Sequence, residues 1–314
     1  MLGLNLVLPL ILIIITGNLL RRYGFYEARE IKTLTKTLYW VILPMLLFRT
    51  TFTSGREVLT QPNLFIASIL AYIATLGFAW LASSRIYHKG KPNTIAVSVM
   101  SSMRGNNIYL GFPVVQLAMG ETGLHYASLY IAVTIIGYHI LSISAAEIAQ
   151  YGKLSMDTVK KTFKKLAVNP MVISCVLGLL FALIGIDRLP LAIDEAMKLM
   201  SQAATAVALI GLGGTLDLSC FANVADMLRR TWEDCFIKLM IHPLLMLLFL
   251  NLFPVQHELM QVTVMLSAMP SAVNCFILAR EMGMDGDYGA DLVASTTVLG
   301  AIAIPVWAHV LGLV

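Results

Sequence analysis

Residues 103–113 read MRGNNIYLGFP, which puts one guanidinium, two carboxamides, two glycines and a proline within eleven residues. An arginine keeps its proton in proteins, and its planar fork meets a carboxylate through two parallel hydrogen bonds. Beside Arg104, Asn106 and Asn107 offer neutral donors. The chemistry on offer is therefore capture of a small anion. A second segment, LSAMPSAVNCF at 266–276, again groups a proline and a carboxamide (Pro270, Asn274) with two hydroxyls (Ser267, Ser271). Catalysis finds little support. His139, His242 and His309 stand singly, without the H-x-x-x-H or H-E-x-x-H spacing of a metal site, and no Ser/His/Asp or paired-Asp grouping suggests a hydrolase. Cys175, Cys220, Cys235 and Cys275 form no short-spaced pair, which argues against a disulfide framework or a zinc site. No cofactor motif is present.

Both polar segments lie in chain that should cross a lipid bilayer. The chain is 58 % hydrophobic and 13 % charged with mean hydropathy +0.79, outside the soluble globular range. Stretches free of Asp, Glu, Lys and Arg cover 1–20, 58–84, 122–146, 166–186, 199–216, 239–257, 259–279 and 292–314. Each is about long enough to span a roughly 30 Å hydrocarbon layer as a helix. Two more apolar stretches, 33–54 and 92–120, are interrupted mainly by Lys36, Arg49 and Arg104. The expected fold is an all-α membrane protein of ten transmembrane helices. The first stretch has no basic residue ahead of it, and Arg21 and Arg22 follow it, so it reads as a span and not a cleaved leader.

Basic residues collect in alternate connections. Arg21, Arg22, Arg29, Lys32 and Lys36 follow the first span, and Arg85, Lys89 and Lys91 the third. Lys153, Lys160, Lys161, Lys164 and Lys165 follow the fifth, Arg229 and Arg230 the seventh, and Arg280 the ninth. The intervening connections hold only Arg49, Arg56 and Arg188. Positive-inside bias puts these basic loops in the cytoplasm and both termini outside a cell (inner or plasma) membrane. The net charge of +4 is thereby explained by topology. A nucleic-acid role needs clustered basic residues on a soluble surface, and none is available.

The halves echo one another. Pro170 and Gly178 lie 161 residues after Pro9 and Gly17, and GMDG at 283–286 lies 163 after GETG at 120–123. Under the same 163-residue offset Ala127, Leu129 and Gly137 fall on Ala290, Leu292 and Gly300. Five spans per repeat is an odd number, so the second repeat enters the membrane from the opposite side. The expected organisation is a five-helix repeat at 1–151, a basic cytoplasmic loop at 152–168 and a second repeat at 169–314. Scaffold and transport subdomains would interleave across both. The two polar segments then fall at equivalent positions, in spans four and nine. Proline removes a backbone donor and glycine loosens the chain, so both spans should be broken there. Freed backbone groups are tolerated at membrane depth only where protein or a wet cavity satisfies them, and paired broken helices point to a transporter site.

Charged residues at depth must be stabilised somehow. Arg104 lies about twelve residues into span four, roughly 18 Å at about 1.5 Å per residue. A charge there costs roughly 2.5–3.5 kcal/mol on insertion scales. It could contact an anion, snorkel to the boundary, or pair with Asp217 or Glu147. Asp291, near the start of span ten, reads as a partner for the helix dipole in preference to an ion carrier. Lys198, Asp217 and Lys238 bracket apolar stretches and read as interfacial.

Taken together, RGNNIYLGFP (104–113) and AMPSAVNCFILAREMGMD (268–285) are similar to the crossing segments of the auxin efflux carrier family, in its bacterial branch of organic-acid permeases. LPMLLF (43–48) and NPMVISCVLGLL (169–180) resemble the matching parts of spans two and six. The resemblance covers essentially the whole chain. It implies a ten-helix inverted-repeat carrier with a scaffold and a transport domain, often a homodimer. Its substrates would be mono- or dicarboxylates such as malate, malonate or indole-3-acetate. It maps the crossing asparagines onto Asn106 and Asn274, with Gly111, Pro113 and Pro270 alongside. The long cytoplasmic loop of many plant members is missing here. The expected substrate-binding set is Arg104, Asn106, Asn107, Gly111, Pro113, Pro270, Ser271 and Asn274. The function expected is secondary transport of a small organic anion by alternating access, with proton or Na+ coupling undecided. A sodium-coupled symporter of similar fold and a membrane-embedded ligand sensor are the alternatives. The first lacks a midplane acidic cluster in the sequence, and the second lacks a soluble output domain.

Overall fold

A computed structural model describes residues 2–54, 57, 60–186, 188–215 and 224–314. Arg56, Asp217 and Cys220 lie outside the described residues. The described chain is all-helical, with a single two-residue antiparallel bridge in place of any strand. In order the helices are α1 (Leu2–Arg22), α2 (Ala28–Ser54), α3 (Pro62–Tyr87), α4 (Pro92–Met103), α5 (Asn107–Tyr151) and α6 (Met156–Ala167). They continue as α7 (Pro170–Leu183), α8 (Leu191–Thr215), α9 (Val224–Leu252), α10 (His257–Ser267), α11 (Asn274–Glu281) and α12 (Gly286–Val310).

Among the described residues, α2, α3, α5, α8, α9 and α12 are each long and apolar enough to cross a membrane. A seventh span arises if α6 and α7, bent 62° apart, count as one. The expected basic loop at 152–168 proves largely helical. Ser155 caps α6 by accepting from the Asp157 N–H (3.2 Å), and α6 buries Thr162 and Leu166 while its lysines stay outside. A lysine-rich stretch looks solvated in sequence, but spacing of three to four residues between its inward positions suits an amphipathic helix.

Two breaks divide what the sequence reads as spans four and nine. α4 ends where the backbone straightens at Arg104 (φ −80°, ψ 94°), and α5 begins three residues later. α10 ends at Ser267 and α11 begins at Asn274. Within α5 the chain turns again at Gly120, whose φ of 62° and ψ of −141° are non-helical. Gly283, 163 residues on, turns the chain between α11 and α12 with φ 71°. Positive φ is open to glycine at little steric cost, which is why this residue stands at both turns.

The glycines matched by the 161-residue offset also play like parts. A β-carbon on Gly17 would stand 2.3 Å from the Ile210 carbonyl oxygen, where α1 packs along α8. One on Gly178 would stand 2.7 Å from the Phe48 carbonyl oxygen, where α7 packs along α2. Small residues let membrane helices approach this closely.

A polar cluster joins α3, α4, α9 and α12 near one end of the bundle. Asp234 is 3 % exposed; it accepts from Ser98 Oγ (2.5 Å) and from Tyr288 Oη (2.7 Å), and His88 Nε2 lies 3.4 Å away. Ser83 Oγ donates to Ser98 Oγ (2.7 Å). Removing the shared acceptor leaves several buried donors unpaired. Asp234→Ala should therefore destabilise the protein by about 3 kcal/mol, read as a lower thermal midpoint in detergent. An unchanged midpoint would mean that the cluster does not hold these four helices.

Two charged positions differ from their interfacial expectation. Lys238 is 1 % exposed and donates to the Ser267 carbonyl at the end of α10 (2.7 Å). α9 starts at Val224, well upstream of the apolar stretch, so Lys238 sits deep in the helix and not at its mouth. Asp291 lies beyond the first turn of α12, where Asp285 is the cap, and its carboxylate pairs with Arg230 (2.8 Å). Lys198 does stand exposed, 3.9 Å from Glu195.

Candidate functional site

The two breaks meet. The Asn106 N–H donates to the Pro270 carbonyl (2.7 Å), and the Ala272 N–H donates to the Arg104 carbonyl (2.9 Å), forming the bridge between Gly105 and Ser271. Backbone groups released by one interrupted helix are thus satisfied largely by the other, as a low-dielectric setting requires. The Ser271 N–H donates to Thr296 Oγ1 on α12 (3.1 Å), and the Asn106 carbonyl accepts from the Leu110 and Gly111 N–H groups at the start of α5.

On one side of this joint lies a cavity of about 190 Å³, walled by the breaks, by α5, and by Tyr39, Asn169 and Met171. A single water needs only about 10–15 Å³ of such space. Arg104, Asn106, Asn107 and Asn274, four of the expected binding residues, line it. The other four stand behind it. Gly111 packs against Leu266 and Met269, Pro113 is buried in α5, Pro270 packs against Gly300, and Ser271 is fully buried in the joint. They shape the crossing without facing the cavity.

Arg104 is 2 % exposed, so it does not snorkel. Its Nη1 donates to Ser142 Oγ (2.9 Å) and to His139 Nδ1 (3.3 Å), and its guanidinium lies 5.1 Å from the Tyr138 ring centroid. No carboxylate among the described residues pairs with it. Glu147 accepts from Thr158 Oγ1 through one carboxylate oxygen (2.6 Å) and forms no ion pair with Arg104; Asp217 lies outside the described residues. Among the described residues, Arg104 Nε and Asn107 Oδ1 are buried and without a partner. A buried cation with no counter-charge is costly unless a ligand supplies one.

Sequence reasoning missed His139, Tyr39, Tyr138 and Asn169. His139 accepts from a guanidinium through Nδ1, which places its own proton on Nε2. Nothing in a charge-free stretch marks Tyr138 and His139 as facing a cavity. Asn169 carried a signal that reads as a cap: its Oδ1 accepts from the Met171 N–H (2.9 Å) and starts α7, while the residue also lines the cavity.

A second space of about 400 Å³ adjoins the first and shares Tyr39, Arg104, His139, Asn169 and Asn274 with it. Its outer wall carries Lys165 of α6 and Glu281 of α11, paired at 3.0 Å.

Over residues 2–308 the sequence matches the family described as membrane transport protein. The chain belongs to that family. Relatives agree along almost the whole length. The "Putative malonate transporter" of Rhizobium meliloti (strain 1021) is 25 % identical over 96 % of this chain and 93 % of its own. The "Uncharacterized transporter YfdV" of Escherichia coli (strain K12) is 26 % identical over 98 % and 97 %. "Auxin efflux carrier component 5" of Arabidopsis thaliana is 25 % identical over 42 % of this chain and 38 % of its own. The chain is thus a multi-pass membrane protein of a transporter family related to the auxin efflux carriers, and its named relatives are transporters, not enzymes.

Proposed function

We propose that this protein is a secondary carrier of small organic anions, mono- or dicarboxylates, working by alternating access in a cell membrane. The observation that carries the reading is Arg104, a buried guanidinium with no carboxylate partner among the described residues, at the joint of two broken helices. Its guanidinium lines the cavity and suits a carboxylate, with Asn106, Asn107 and Asn274 hydrogen-bonding the remaining oxygens. The name of the Rhizobium relative accords with a small dicarboxylate.

The architecture that goes with this reading is ten crossings in two inverted five-helix repeats, 1–151 and 169–314, joined through 152–168. Support comes from the glycine turns at 120 and 283 and from the like packing of Gly17 and Gly178. α1, α2, α7 and α8 form a static scaffold, past which the crossing helices carry the site. The basic connections face the cytoplasm, both termini lie outside, and two copies pair as a homodimer. The larger space is then the cytoplasmic approach, with Lys165 and Glu281 at its mouth.

Purified protein in liposomes should accumulate or exchange radiolabelled malonate; a sensor or a hydrolase would do neither. Asn106→Ala and Asn274→Ala should each lower uptake by up to about tenfold, the loss of one or two neutral hydrogen bonds. Wild-type uptake by either variant would separate the two crossings and overturn the shared site.

A further inference from the structure

We infer that the cavity accepts one negative charge at a time, so that a dicarboxylic acid crosses as its hydrogen anion and brings its own proton. This rests on the anion-carrier reading above. Among the described residues, Arg104 is the only cation lining the cavity, and no carboxylate lines it. His139, held as an acceptor at Nδ1, adds a neutral donor. The N-terminal ends of α5 and α11 and the C-terminal ends of α4 and α10 converge on the joint, and their opposite half-charges largely offset. Lys238 lines neither space and is engaged with the Ser267 carbonyl. Lys165 and Glu281 in the larger space neutralise each other.

The rest of the lining makes the same demand in chemical terms. Beyond Arg104 it offers neutral polar groups, among them the carboxamides of Asn106, Asn107 and Asn274. The second charge of a dianion would stand in a low-dielectric site facing these neutral groups, which is strongly unfavourable. Protonation of the far carboxyl removes that charge and gives this end an O–H that a carboxamide oxygen can accept. The proton is taken from water on the loading side and returned on release, so each turnover moves one acid, one proton and one net negative charge. Monocarboxylates with a neutral donor at the far end meet the same lining.

The test is binding of malonate and of malonamate, its half-amide and a fixed monoanion, to the purified full chain by calorimetry. The pH series straddles the second ionisation of malonate. Above that ionisation the malonate Kd should rise about tenfold per pH unit, following the fraction of hydrogen anion, while the malonamate Kd stays level. A malonate Kd that stays level or falls overturns the inference. So does parallel weakening of both ligands, which would locate the titrating group on the protein. Binding of malonate with none of malonamate also overturns it, because one charge and a neutral donor would then not suffice. If neither binds at any pH, the carrier reading itself fails.

Discussion

Arg104→Gln should abolish malonate uptake, with a loss of at least about a hundredfold, while the thermal midpoint stays level or rises. The loss follows from removing charge-assisted hydrogen bonds to the ligand, each worth roughly 1.5–3 kcal/mol, at a site lined by no other cation among the described residues. The stability half of the result separates a binding role from a structural one. A guanidinium in a buried ion pair would leave a stranded carboxylate when deleted, at a cost of about 3–5 kcal/mol. Here Arg104 meets Ser142, His139, the Cys275 thiol and the Tyr138 ring, so its deletion strands no carboxylate among the described residues. Uptake by the Gln variant within a few fold of wild type would defeat the anion assignment. Loss of folded protein would return the residue to a structural role.

Gly17→Ala should lower the thermal midpoint sharply, at a cost of about 3 kcal/mol, and Gly178→Ala should do nearly as much. The added carbon at position 17 would sit 2.3 Å from a main-chain oxygen of α8, and a backbone cannot step aside as a flexible side chain does. Relief requires α1 and α8 to part, which forfeits packing along the whole pair. Gly77→Ala is the control. It lies within α3 with nothing inside 4 Å of the added carbon, and alanine favours the helix by about 0.5–1 kcal/mol. Equal midpoints for the Gly17 and Gly77 variants would show that the α1–α8 contact is looser than these distances imply.

The joint was legible because proline, glycine and carboxamides in the middle of an apolar stretch cannot sit in an unbroken helix at membrane depth without cost. The break after Met103 and the meeting of the two segments both follow from that one physical conflict. What stayed hidden depends on helix starts. A charge-free stretch marks only the lipid-facing part of a helix, so α2 and α9 begin several residues earlier, in amphipathic sequence. That displacement is why Lys238 reads as interfacial yet lies deep, and why Asp291 reads as a helix-dipole partner at the start of span ten although the helix already starts at Gly286 with Asp285 as its cap. The remaining cavity residues come from α2, α5 and the start of α7. Their convergence is set by the bend between α6 and α7 and by helix rotation, neither of which a linear pattern encodes.

The bridge between Gly105 and Ser271 is built from main-chain atoms alone. Those hydrogen bonds draw on atoms that every residue other than proline carries on its main chain. Side chains of the cavity wall such as Tyr39 and His139 can therefore change without removing any of the bonds that fasten one break to the other.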